Sequence, residues 1–376
     1  MIETVPEMVT RLEEARKLGK VAVDTELVWE STFYPALGVV QVGVSREGCY
    51  LLDAVALSGQ LAPLGDLLAD TGTVKILHDA VQDMTILRNA TRASGTTAPP
   101  ANLFDTRIAA GFVGLASTIS LRDLLVELVG VELDKTETRT DWLQRPLAQN
   151  QVGYAEDDVR YLVDAHDELV RRAEANGLGD WLRQEMATLN DQTLYDERDP
   201  REEFRRVKGF GKMRGLELAT LRELSVWREK AARELDRPRG RVASDKLLLF
   251  LAQRQPTEVA HLSEVRSFRR RDIDRHGQEI IDAVSLAGGL DESDWPSAPP
   301  HQRHDRELET RCRAAMERMR EVAEARGIDP ALVATRADLR GLVREGPEKE
   351  SPTNRLTRGW RWEFVGEALA GEFFQG

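Results

Sequence analysis

The sequence predicts an α/β domain with a mixed sheet and flanking helices, followed by two smaller all-helical domains. Three observations predict it. Residues 1 to about 187 alternate short β-branched runs with helical apolar periods, the pattern of layered α/β structure. From about residue 212 onward the apolar residues recur only at helical spacing. Two polar stretches, 188–211 and 291–304, the second rich in proline, divide the helical part into 212–290 and 305–376. A chain of 376 residues also exceeds what one core usually supports, so two or three domains are expected.

Taken in order, MIETVPEMVTRLEEARKLGK carries charges of both signs and no apolar h-region, which predicts a first helix and not a signal peptide. VAVDTEL, LGVVQVGVS, CYLLDAV and TVKILHD predict four strands. AVQDMTILRNA, DTRIAAGFVG, SLRDLLVELVG and YAEDDVRYLVDAHDELVRRAEANG place apolar residues three and four apart, as helices do, with Gly177 closing the last. Leu218, Leu221, Leu224 and Trp227 open the first helical domain at the same spacing, and GWRWEFVGEALAGEFF closes the second.

Composition narrows the function. With 41% apolar and 31% charged residues and no apolar run near the ~18 a span requires, no membrane helix is expected. Cys49 and Cys312 match no disulfide or metal spacing, so a reducing, cytoplasmic setting is expected. The net charge of −12 argues against a polyanionic partner, yet residues 201–285 hold 20 Lys and Arg against 14 Asp and Glu. That local excess favours nucleic acid as partner. GFGKMRG (209–215) lacks the spacer and ending of a P-loop, which excludes nucleoside triphosphate binding there.

The chemistry is carried by carboxylates. Asp24 and Glu26 stand two apart in an apolar run and point to one face, where two buried like charges cost several kcal/mol each, so the pair asks for a metal, an Arg partner or a strand end in water. Asp83 lies just after the strand TVKILHD, near a helix start. Tyr154 and Asp158 are four apart on a helix and share its face. Four carboxylates gathered at a sheet end suit two divalent ions about 3.5–4 Å apart. All-oxygen ligation favours Mg2+ or Mn2+. Such a site hydrolyses phosphodiesters, with the Tyr154 hydroxyl orienting the attacking water.

VAVDTEL, HDAVQD and YAEDDVRYL in that order resemble the three motifs of the DEDDy exonucleases, and FYPALGVVQVGV, FDTRIAAGF and LDKTETRTDWLQRPL are similar to the ribonuclease D family. Residues 212–290 look like the helicase and ribonuclease D C-terminal (HRDC) domain, and 305–376 like a weaker second copy. The resemblance implies a ribonuclease H-like exonuclease domain over 1–187 and two HRDC domains. It further implies a 3'-to-5' exoribonuclease that releases 5'-mononucleotides and trims the 3' ends of structured RNA such as tRNA precursors. Asp24, Glu26, Asp83 and Asp158 would hold the metals, Tyr154 and Glu26 would act in catalysis, and Thr25, Leu27, Gln41, His78 and Lys135 would lie by the terminal nucleotides. The chain departs from the family in having Leu27 where an aromatic residue or His is common; Leu can wedge beside a base but not stack on it. A monomer is expected. Two other readings are weighed: an inactive nucleic-acid-binding protein, which would have no use for four acids and a tyrosine, and a DNA 3'-5' exonuclease, for which no helicase or polymerase motif is at hand.

Overall fold

A computed structural model describes residues 1–29, 32–133, 140–265, 268–297, 305–346 and 354–369. The N-terminal part runs α1 (Val5–Leu18), β1 (Lys20–Val28), β2 (Ala36–Gly43), β3 (Cys49–Asp53), α2 (Ala62–Leu68), β4 (Val74–Leu77), α3 (Ala80–Ala93), β5 (Leu103–Asp105), α4 (Thr106–Ala110), α5 (Leu121–Val129), α6 (Gln149–Arg160), α7 (Leu162–Ala175) and α8 (Gly179–Thr188). Gly19, at φ 72°, closes α1 in the left-handed conformation glycine adopts without strain, and the chain enters β1 at once.

The five strands form one sheet in the order β3-β2-β1-β4-β5. β1, β4 and β5 are parallel, and β2 and β3 are antiparallel, so the sheet is mixed as expected. The inner strands read as near-continuous apolar runs because helices cover both faces, and Val21, Ala22, Val23, Ile76 and Leu77 are fully buried. α6 packs on β3, α7 on β4 and α8 on β5. Two features differ from the sequence expectation. β5 has only three residues, too few to show a period of two, and the helix expected over DTRIAAGFVG spans only Thr106–Ala110.

The chain divides into two compact units. One comprises Met1–Leu27, Leu37–Asp196 and Arg303–Gly376, the other Val28–Ala36 and Glu197–Gln302. The second unit is helical, with α9 (Gly215–Glu234), α10 (Arg239–Val242), α11 (Asp245–Arg254), α12 (Val259–Leu262) and α13 (Arg270–Gly288). Its core is built on Leu218, Leu221, Leu224, Leu248, Leu251 and Ile280. The Trp227 indole N–H donates to Glu279 at 2.8 Å, so the ring is an anchor of this core, not a base-stacking platform. The segment 28–36 adds Phe33, whose ring lies 5.3 and 4.5 Å from the guanidinium carbons of Arg233 and Arg239.

The last helices are α14 (Arg306–Ala325), α15 (Pro330–Val333), α16 (Arg336–Glu345) and α17 (Gly359–Leu369). The described residues of these helices, which the sequence suggests form a second HRDC-like helical domain over 305–376, share the core of the first unit. Trp360 of α17 meets Phe112 edge-on at 5.1 Å and stacks on Trp181 of α8 at 5.5 Å. The Asp329 amide donates to the Gly111 carbonyl at 2.8 Å. Amphipathic periodicity says that a helix covers something; it does not say what.

Candidate active site

Register places the site. Ala22 of β1 lies beside Ile76 of β4, and Ile76 beside Phe104 of β5. Asp24, His78 and Thr106 follow the last of these pairs, at the C-terminal ends of the parallel strands, the end at which open α/β sheets bind ligands. Asp105 fixes two helix starts at this end. Its carboxylate accepts from the Arg107 amide at 2.8 Å and the Ala80 amide at 2.8 Å, so one side chain ties the start of α4 to the start of α3. Asp83 lies in the first turn of α3, and the Thr25 hydroxyl donates to it at 2.5 Å.

Tyr154 and Asp158 arrive on α6, which lies close over β2. A side-chain carbon on Gly43 would come within 2.7 Å of the Val159 carbonyl oxygen, and one on Gly38 within 2.4 Å of the Trp142 carbonyl oxygen. Only glycine admits that approach. The loop before α6 is held by Arg145, whose Nε and Nη2 donate to the two oxygens of Asp53 at 2.5 and 2.7 Å. Its remaining N–H groups reach the carbonyls of Gly38, Trp142 and Gln144 at 2.8–2.9 Å. Such a planar fork saturates five donors that a Lys could not replace. It sets Trp142, whose ring lies 6.1 Å from that of Tyr154. Arg145 and Trp142 belong to the run RTDWLQRPL, so the motif was legible in the sequence but its work as a buttress for Tyr154 was not.

The four acids are electrostatically one group. Burial first, then the charges of Asp83, Asp158 and Glu26, raise the Asp24 carboxyl well above its ordinary range. Burial together with Asp158 and Asp83 pushes Glu26 up to about 8. Asp158 is pushed up to about 7 by burial, Asp157 and Asp83, against the lowering effect of the Tyr154 hydroxyl. Asp83 rises to about 6, with burial again the largest cause. Among the described residues none of the four pairs with Arg, Lys or His. Neither do any three His, Cys, Asp or Glu side chains close into a ready-made ligand set. The case for a cation is thus one of charge. Four oxygen donors that repel one another and lack a basic partner fit hard divalent cations, and their all-carboxylate chemistry fits Mg2+ or Mn2+ better than zinc.

The other expected residues fare differently. Thr25 is committed to Asp83, and Leu27 is half-buried beyond Glu26 on β1. His78 engages the Thr106 hydroxyl through Nδ1 at 2.8 Å and the Ile119 carbonyl through Nε2 at 3.2 Å, which makes it an internal tie. Burial, followed by the Arg107 charge, lowers its pKa to about 4, so it is a neutral ring at physiological pH. Gln41, read as lying by the terminal nucleotides, is fully buried in β2 with neither amide atom partnered, so it offers substrate no surface. Lys135 lies outside the described residues.

Comparison with known proteins shows the family and the fold. A family model described as 3'-5' exonuclease matches residues 1–174, and one described as HRDC domain matches 217–284. The chain is 38% identical to a Ribonuclease D of Desulfotalea psychrophila, over 97% of this chain and 96% of that one. It is 35% identical to a Ribonuclease D of Pseudomonas paraeruginosa, over 95% and 92%. The crystal structure of Escherichia coli RNase D, described as an exoribonuclease involved in structured RNA processing, superposes with a TM-score of 0.85 at 28% identity, covering 98% of this chain and 96% of that one.

Proposed function

Because the chain belongs to the ribonuclease D family and is a 3'-5' exoribonuclease, we propose that it releases 5'-mononucleotides by two-metal hydrolysis from the 3' ends of structured RNA such as tRNA precursors. The observation that carries this reading is the cluster of four mutually repelling carboxylates with no basic partner among the described residues, beside Tyr154. Asp24, Glu26, Asp83 and Asp158 would hold two divalent ions of the Mg2+ or Mn2+ class. When bound, such ions supply an activated water and neutralise charge on the phosphoryl oxygens.

The chain's own groups do the positioning. Thr25 donates to one Asp83 oxygen and so fixes that carboxylate. Burial, then the charges of Asp158 and Glu26, raise the Tyr154 hydroxyl far above its ordinary pKa, so it stays protonated at any working pH. A protonated phenol orients water by hydrogen bonding and does not act as base. Tyr154→Phe is therefore expected to lower kcat by about a hundredfold, with a smaller change in KM. Steady-state kinetics on a single-stranded RNA oligomer checks this, and an unchanged kcat would remove Tyr154 from the mechanism.

The local excess of Lys and Arg in 201–285 supports contact with RNA phosphates. A second, diverged HRDC domain over 305–376 is supported by the order of elements. α9–α11 and α14–α16 each run as a long helix, a four-residue helix and a ten-residue helix. Ser244 caps α11 and Thr335 caps α16, with Leu248 and Leu251, and Leu339 and Leu342, buried at matching positions. Both cysteines are free thiols, which supports a reducing, cytoplasmic setting. Among the described residues no helix is long and apolar enough to cross a membrane. Incubating the protein and Mn2+ with 3'-labelled RNA and DNA oligomers tests the reading: mononucleotides from RNA support it, release from DNA alone selects a DNA exonuclease, and no release from either selects the binding protein.

A further inference from the structure

We propose that Arg107 binds an RNA phosphate upstream of the scissile bond and that Asp79 occupies it when RNA is absent; this rests on the exoribonuclease reading above. Asp79 stands immediately before α3, whose first turn carries Asp83, and its charge reaches that carboxyl, so the Arg107–Asp79 pair lies beside the carboxylate cluster at this sheet end. The Arg107 backbone is fixed, because its amide donates to Asp105 at 2.8 Å. Its side chain is not fully used. Nη1 donates to Asp79, Nε is buried with no partner, and the side chain keeps 26% of its surface exposed.

Asp79 is an unusual neighbour. It is a non-glycine residue in the left-handed region, φ 74° and ψ 57°, with 60% of its side chain in solvent. Such conformations are strained and concentrate at functional sites. An ion pair this exposed contributes little, so a phosphate can displace the one carboxylate oxygen that meets the guanidinium and present two of its own. An Arg held by a weak, exposed acid beside a phosphodiester site is a phosphate ligand in waiting, whereas in the structural pair of Arg145 with Asp53 the carboxylate is buried and every guanidinium donor is used.

The two residues then act on RNA with opposite signs. Arg107→Ala is expected to raise KM for a single-stranded RNA oligomer by about tenfold and to flatten the slope of log KM against log salt by about 0.7, the value of one single-strand phosphate contact. Asp79→Asn, which keeps the left-handed backbone because Asn tolerates it, is expected to lower KM a few-fold. A purely structural pair would move both variants the same way and leave the salt slope unchanged. That pattern in a chain whose wild type is active overturns this inference alone; a wild type that releases no mononucleotide from RNA in Mn2+ overturns it together with the reading it rests on.

Discussion

Asp24→Asn is expected to lower kcat at least about a thousandfold while raising the melting temperature of the metal-free protein. The loss follows from its place in the cluster: Asp24 feels the charge of all three other acids, so an ion held between them loses a ligand. Charge stabilisation by a metal is worth several kcal/mol in the transition state, and each ~1.4 kcal/mol is a factor of ten. The gain follows from linkage. Glu26 at about 8, Asp158 at about 7 and Asp83 at about 6 all lie above the ordinary carboxylate range, as does Asp24. The folded state therefore holds more protons than the unfolded one between the ordinary carboxylate pKa and about 8, and metal-free stability falls as pH rises through that window.

Removing one of the four charges relieves the penalty, and a divalent cation relieves it in the wild type. Stabilisation by Mn2+ should thus be larger at pH 8 than at pH 5, reaching about 2.7 kcal/mol at a hundred times Kd. It should shrink in Asp24→Asn. Thermal melts in chelator and in Mn2+ at the two pH values check both signs; a metal-free variant less stable than wild type at pH 8 would deny the shared cluster. RNA retention should persist in the variant, since the basic segment 201–285 is untouched.

What the sequence disclosed about this site was the identity of the acids, because a carboxylate inside an apolar strand has few innocent explanations. Spacing of two on β1 and of four on α6 fixed which side chains share a face. What stayed hidden was non-local. Asp105 tying α3 to α4, Arg145 locking onto Asp53, and the orphaned Gln41 amide all depend on which strands adjoin, and no period within one segment encodes that. The same limit explains the helical end of the chain. Helicity was legible in the apolar spacing of 305–376, but the burial of Trp360 against Phe112 was not, because the two lie far apart in sequence and meet only through the fold.

Among the contacts that hold those last helices in the first unit is a buried charge network, and Glu185→Ala is expected to cost about 3–5 kcal/mol. Glu185 of α8 accepts from Arg361 Nη1 at 2.5 Å, from Arg361 Nη2 at 2.8 Å and from the Trp360 indole at 2.7 Å. Arg361 also donates to the Val333 and Leu332 carbonyls at 3.1 and 2.9 Å. With both side chains over nine-tenths buried, water cannot replace the lost carboxylate, and the guanidinium would be left in the core with only carbonyls to answer its charge. Urea unfolding of the intact chain measures the cost. Desolvating the ions offsets most of their attraction, so the paired replacement Glu185→Leu with Arg361→Met should recover most of the single variant's loss. If the double variant is as unstable as Glu185→Ala, the damage is lost packing and not an unanswered charge, and the ion pair is then not what holds α17 in place.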